Sequence, residues 1–90
     1  MSKDTRVAVI SIIVENESVT QKINEILHEY RAYIIGRMGI PYRDKGISII
    51  SVAVDAPQEE ISALSGKIGR LPGISAKTAY SNVITKADAL

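Results

Sequence analysis

The chain has 90 residues, of which 46% are apolar, and its formal net charge is +1. This length allows one domain, the composition is that of a globular chain, and the near-neutral charge argues against a strongly polyanion-binding protein. Because the chain has no cysteine, disulfides, thiolate catalysis and cysteine-ligated metal or iron–sulfur sites are excluded.

The first clear pattern in the chain is "VAVISIIV", from Val7 to Val14. Apolar and mostly β-branched side chains at nearly every position predict a strand that is buried on both faces. A run of about eight residues falls far short of the roughly 20 that a membrane-spanning helix needs, and acidic residues follow it in place of a cleavage site. We therefore expect a soluble, cytoplasmic protein without a membrane partner.

A helix is predicted next, over about residues 18–30, because apolar residues recur there at helical spacing. Either Asn16 or Ser18 is positioned to cap its start. The alternation of side chains from Tyr33 to Tyr42 predicts the second strand, and "YRDKG" after it predicts a turn that ends at Gly46.

The third strand is predicted from Ile47 to Val54, "ISIISVAV", again with apolar residues on both sides. A second helix follows "DAPQEE", with Asp55 expected as its cap and Pro57 in its first turn. "LPG" ends that helix, and a fourth strand is predicted from Ile74 to about Asn82. We expect the segment 83–90 to be a short extension or a frayed tail.

The predicted order β-α-β-β-α-β is that of the ferredoxin-like α+β sandwich, in which two helices cover one face of a four-stranded antiparallel sheet. The first and third strands are central in this topology, in agreement with their uniformly apolar sequences. We expect residues 1–90 to form one such domain, with a core from about residue 6 to residue 82. Because the helices cover one face only, the apolar residues on the other face predict a homodimer or homotetramer that buries them.

The residues that other proteins of this fold use for chemistry are missing from the expected positions. The two central strands have no aromatic side chains to stack RNA bases. "GRMG", from Gly36 to Gly39, resembles a nucleic-acid clamp, but its strand-like context favours a bulge or a close backbone approach. His28 is the only histidine and has no second nitrogen donor for a metal site. We therefore expect no catalytic residues, no metal ligands and no cofactor.

Three stretches of the chain resemble a known family: "NEILHEY", "IIGRMGIPYRDKGISIIS" and "EISALSGKIGRLPGISAKTA". From Val7 to Ala79 the chain is similar to the small proteins known as iron-only hydrogenase system regulators. That family is similar in turn to ACT domains and to the C-terminal, oligomerising domain of nickel-responsive repressors. The resemblance implies an ACT-like fold and a non-enzymatic regulatory module that oligomerises and binds a small-molecule effector or a protein partner.

Two functions stay open from the sequence. The first is this ACT-like regulatory module, and the alternative is a nucleic-acid-associated transcription regulator that uses the basic hairpin, although the near-neutral charge argues against nucleic acid as a partner. For the module, we expect the effector at the loop of Glu15, Asn16 and Glu17, completed by Arg37 or Gly39 of another chain. Because this loop is acidic, the expected ligand is cationic or bears an amine.

Overall fold

The computed structural model describes residues 3–87 of the chain. Within this range four strands and two helices follow one another in the predicted order β-α-β-β-α-β. All strand pairs are antiparallel, and the strands lie in the spatial order second, third, first, fourth, so the ferredoxin-like α+β sandwich is confirmed. The elements are β1 Thr5–Val14, α1 Thr20–Glu29, β2 Ile34–Tyr42, β3 Ile47–Ala56, α2 Gln58–Gly69 and β4 Ile74–Thr85.

The central strands β1 and β3 alternate between a buried side, packed against the helices, and a side that faces away from them. Successive residues of a strand point to opposite faces, so each strand supplies every second side chain to the core. The buried residues of the two strands are Ala8, Ile10, Ile12, Val14, Ile50, Val52, Val54 and Ala56.

Both helices add an apolar stripe to the same core, at the spacing that the sequence predicts. Ile26, which the spacing also places on the stripe, is only partly buried. Burial of a whole aliphatic side chain contributes about 1.5–3 kcal/mol, so these stripes hold the helices on the sheet. The buried residues of the two helical segments are Val19, Ile23, Leu27, Tyr30, Ile61, Leu64 and Ile68.

Two strands extend further than the sequence predicts. β3 includes Asp55, which pairs with β1, so the prediction that Asp55 caps α2 is wrong and Pro57 occupies that boundary. β4 continues past Asn82 to Thr85, because Thr85 pairs with Thr5 of β1. The segment from residue 83 to residue 85 is therefore strand and not frayed tail, and residues 88–90 lie outside the described part of the chain.

The stretch that contains "GRMG" forms a β-hairpin, as predicted. A 3-10 turn at Arg43–Lys45 joins β2 to β3 and ends at Gly46, whose φ of 63° favours glycine. The predicted bulge lies beside Gly36, where the pairing of β2 with β3 shifts between Ile34 and Gly36. Gly39 pairs regularly, and a Cβ atom added to it would meet no atom within 4 Å, so it makes no close contact within the chain.

The sheet surface that faces away from the helices, which we call the outer face, is rich in apolar residues. Six of its large apolar side chains are 41% to 55% exposed, so the protomer leaves much of their surface uncovered. Serine residues and Lys77 are interspersed on the same surface. The apolar residues of the outer face include Val7, Val9, Ile13, Met38, Ile40, Tyr42, Ile47, Ile49, Ala53 and Ala79.

Neither helix of the described chain, residues 3–87, has the length and apolar character needed to cross a membrane.

Candidate functional site

The loop of Glu15, Asn16 and Glu17 joins β1 to α1. Asn16 caps the 3-10 turn that leads into α1: its Oδ1 accepts hydrogen bonds from the backbone N–H of Ser18 at 3.0 Å and from Ser18 Oγ at 2.7 Å. Asn16, one of the two predicted caps, therefore caps this 3-10 turn, whereas α1 itself starts after Val19 without a side-chain cap. A capping side chain of this kind satisfies backbone N–H groups that the helix cannot satisfy itself.

The same loop is fixed to the turn between α2 and β4. The backbone N–H of Glu15 donates to the carbonyl oxygen of Gly73 at 2.8 Å. Gly73 has a φ of 71°, and a Cβ atom built on it would lie 2.8 Å from Cβ of Asn16. The close approach of the two backbones thus requires glycine at position 73, and the backbone of the loop is held in place while the Glu15 and Glu17 residues stay exposed.

Arg37 and Gly39 lie on β2, on the side of the sheet that carries the helices, since they pair with Val52 and Ile50. Arg37 Nη2 donates to Oδ1 of Asn24 on α1 at 2.8 Å. Both residues line a cavity of about 240 Å³ between α1 and the hairpin. The two predicted site residues of β2 are therefore brought together in one protomer.

The acidic loop does not join them there. None of Glu15, Asn16 and Glu17 lines this cavity, whose helical wall begins one turn later at Thr20. The sequence places Arg37 or Gly39 of a second copy against the loop, and that arrangement stays a prediction.

A second cavity, of about 300 Å³, lies on the other side of the contact between Arg37 and Asn24. It is lined by Asn24, His28 and Arg31 from the α1 side and by Arg37 from β2, above Leu27 and Ile34. Sequence reasoning missed this group. The available signal was the spacing of Asn24 and His28, which at i and i+4 lie on one side of α1, with Arg31 just beyond the end of the helix.

Ion pairs of the described chain lie away from these cavities. Three are found among residues 3–87, namely Lys3 with Glu59, Lys67 with Glu29, and Lys86 with Asp4. A hydrogen bond with Tyr30 and then one with Glu29 raise the pKa of Lys67. The backbone N–H of Ala87 and then the ammonium of Lys86 lower the pKa of Asp4.

The polar side chains at these cavities can donate and accept hydrogen bonds. No polar or charged side chain among residues 3–87 is buried. No cluster of three or more histidine or carboxylate side chains in the same range is arranged to hold a metal ion. The cavities instead offer guanidinium groups, an amide and apolar walls.

Comparisons with known proteins find one family and solved structures of similar fold. A family model named TM1266-like and described as "Iron-only hydrogenase system regulator, putative" matches residues 6–78. The structure of the "uncharacterized protein TM1266" from Thermotoga maritima has a TM-score of 0.81 and 32% sequence identity, covering 84% of this chain and 96% of that chain. A comparison with the curated proteins finds no match.

A formyltetrahydrofolate deformylase from Pseudomonas putida KT2440 is also similar in structure, with a TM-score of 0.63. The sequence identity is 16%, and the similarity covers 86% of this chain but 29% of the deformylase. At that identity the likeness shows a shared fold alone.

Proposed function

The chain belongs to the TM1266-like family, described as regulators of the iron-only hydrogenase system, and on that premise we propose that it is a non-enzymatic regulatory module that works as a homo-oligomer. Family membership supports the regulatory role.

The observation that carries the proposal of an oligomer is the exposed, apolar outer face. Four strands about 4.8 Å apart and about ten residues long, at about 3.3 Å per residue, give this face an area of about 500–600 Å². The largest apolar patch of a typical monomeric protein is about 300–600 Å², and a patch of that size is often functional. Two copies that bury their outer faces would remove about 1,100 Å² from water, near the lower limit for a stable interface.

The shape of the outer face supports a second copy as the molecule that covers it. Ile13, Ile49 and Ile40 are neighbours on three adjacent strands and form an apolar ridge. Two pleats further along the strands, a hollow of about 290 Å³ lies where Gly36 and Ala53 present little or no side chain. A two-fold pairing can place the ridge of each copy over the hollow of its partner, since such an interface uses the same patch twice.

The effector of this module is the second part of the proposal. The loop of Glu15 and Glu17 offers two exposed carboxylates at a rigid backbone position, which supports the predicted cationic or amine-bearing ligand. A signal would then be an effector-dependent change in the assembly or in the surface that a protein partner contacts.

Native mass spectrometry and light scattering test the proposal. We expect the parent protein to have at least twice the mass of one chain, and Ile49→Asp, which puts a charge on the ridge, to be a folded monomer. Ile84→Asp is the matched control, because Ile84 is similarly exposed, at 46% against 41% for Ile49, but pairs with β1 on the helix side of the sheet.

A monomeric parent, or an Ile49→Asp variant that keeps the parent mass, would contradict the proposed interface. The same spectra, recorded on protein purified from its own host, also report any small molecule that stays bound. Circular dichroism of each variant separates loss of assembly from loss of folding.

A further inference from the structure

A groove runs between α1 and the edge strand β2, on the helix side of the sheet, and its two arginines form no ion pair within residues 3–87. The groove consists of the two cavities of about 300 Å³ and about 240 Å³, which share Asn24 and Arg37 as lining residues. The hydrogen bond between Arg37 and Asn24 separates them. Together they approach the size of a small-ligand site.

The first half of the groove is positively charged. Arg31 and Arg37 both line it, beside His28, and no carboxylate is among the lining residues. Within residues 3–87 neither arginine takes part in an ion pair. Arg31 donates through Nη1 to the carbonyl oxygen of His28 at 2.9 Å, and Arg37 donates through Nη2 to Asn24. A guanidinium has five N–H groups, so most of the donors on both side chains are left for a ligand.

The second half of the groove is mostly apolar. Its walls include Gly39, Pro41 and Ile50 on the helix side of the sheet, with Thr20 and Ser48 as polar residues besides the shared Asn24 and Arg37. A Cβ atom at Gly39 would meet nothing within 4 Å, so the missing side chain leaves open space next to Arg37. The groove is therefore cationic at one end and apolar at the other.

We propose that this groove binds a small organic carboxylate, with its anionic group between Arg31 and Arg37 and its aliphatic body over Gly39. A carboxylate accepts two parallel N–H bonds from a guanidinium and forms stronger bonds than the neutral amide oxygen of Asn24, which it would replace on Arg37. The site goes beyond the proposed assembly, because every residue that forms it belongs to one protomer.

The position of the groove favours a carboxylate over a phosphate. His28 and Arg31 lie at the C-terminal end of α1, where the helix dipole is negative. The negative end of the dipole repels a doubly charged phosphate more strongly than a singly charged carboxylate. Phosphate is also usually held by backbone N–H groups at a helix N-terminus, and the half of the groove that carries Arg31 and Arg37 contains no residue from the N-terminus of an α-helix.

Binding of 3-methylbutanoate, followed by NMR and by calorimetry, tests the site. We expect resonances of Asn24 and Gly39 to shift and the Kd to rise by about tenfold or more in Arg37→Met, since a hydrogen bond to a charged group contributes about 1.5–3 kcal/mol. Arg31→Met should raise the Kd by a similar factor. Arg37→Lys should raise it less, because lysine keeps the positive charge but cannot donate two parallel N–H bonds to the carboxylate.

The matched control is Arg43→Met, which removes one exposed arginine from the same hairpin outside the groove. It should bind 3-methylbutanoate like the parent. Gly39→Val should fold normally but lose affinity for 3-methylbutanoate while it keeps that for acetate, since the new side chain fills the apolar half only.

Four results would overturn the proposal. They are no binding of acetate or 3-methylbutanoate at millimolar concentration, equal binding of the neutral 3-methylbutanamide, tighter binding of inorganic phosphate, and parent-like affinity in Arg31→Met and Arg37→Met. The mass of each variant is recorded as well. A monomeric parent that still binds 3-methylbutanoate through these arginines would contradict the proposed assembly and leave the groove site supported.

Discussion

Replacement of Gly73 by alanine is expected to destabilise the protein more than the same replacement of Gly46, although the two residues have similar backbone conformations. Their φ angles are 71° and 63°. They differ in their surroundings, because an added Cβ atom meets nothing within 4 Å at Gly46 but would lie 2.8 Å from Cβ of Asn16 at Gly73. The pair therefore separates backbone strain from steric overlap.

The magnitudes follow from these two situations. A non-glycine residue in the left-handed region destabilises the folded state by about 1–2 kcal/mol. Alanine offsets about 0.4–1 kcal/mol of this, because it lowers the conformational entropy of the unfolded chain. Gly46→Ala should therefore cost about 1 kcal/mol. At Gly73 the overlap with Asn16 forces a backbone shift, and such overpacking adds about 1–3 kcal/mol.

Urea unfolding at one fixed protein concentration measures the two losses, since assembly makes stability depend on concentration. For a domain of this size each kcal/mol corresponds to about 4–8 °C in Tm. Asn16→Gly removes the Cβ atom that causes the overlap, so the extra cost of Gly73→Ala should disappear in that background. Equal losses for Gly46→Ala and Gly73→Ala, or an extra cost that persists with Asn16→Gly, would refute the reasoning.

Three further predictions follow from the core, the chain ends and the acidic loop. Ile23→Asp places a charge at a fully buried site and should cost several kcal/mol in thermal melts, whereas Ile26→Asp at a partly exposed position should cost less; equal melting would contradict the packing of α1. The lowered pKa of Asp4 means that its stabilising contribution is present above 3.8 and is lost as the pH falls through the folded-state value. Asp4→Asn should therefore melt below the parent at neutral pH and converge with it in acid, and a gap that stays constant would exclude the carboxylate as the cause. An amine-bearing ligand at about 100 times its Kd should stabilise the parent by about 2.7 kcal/mol in a thermal-shift screen, and the same gain in a Glu15→Ala, Glu17→Ala double variant would rule out the loop.

The order of the elements and the two central strands could be predicted from the sequence because the information is local. The apolar runs that form β1 and β3 are continuous, which is typical of strands with two covered faces. The ends of β3 and β4 could not be predicted, because they depend on pairing across the sheet. The local sequence around Asp55 predicts a helix cap. In the structure Asp55 belongs to β3, because it pairs with Val7 of β1.

The candidate site was predictable in part for the same reason. The cap formed by Asn16 follows from its position before an apolar periodic segment. The groove depends instead on how α1 lies over β2, which brings Arg37 Nη2 within 2.8 Å of Asn24 Oδ1 although the two residues are thirteen positions apart in the sequence. No periodicity in either segment encodes that contact. Asn24 and His28 of α1 become binding candidates only when their neighbour on the sheet is known.

The strand order has a consequence for how the chain reaches this structure. Only β2 and β3 pair through a short connection, whereas β1 pairs with β3 and with the still later β4. During synthesis both edges of β1 therefore stay unpaired until β3 and β4 have been made. Thr5 can pair only after Thr85 has been added. Non-local pairing of this kind slows folding. In that interval "VAVISIIV" is an unpaired apolar strand, which makes β1 a segment of the nascent chain that is prone to aggregation.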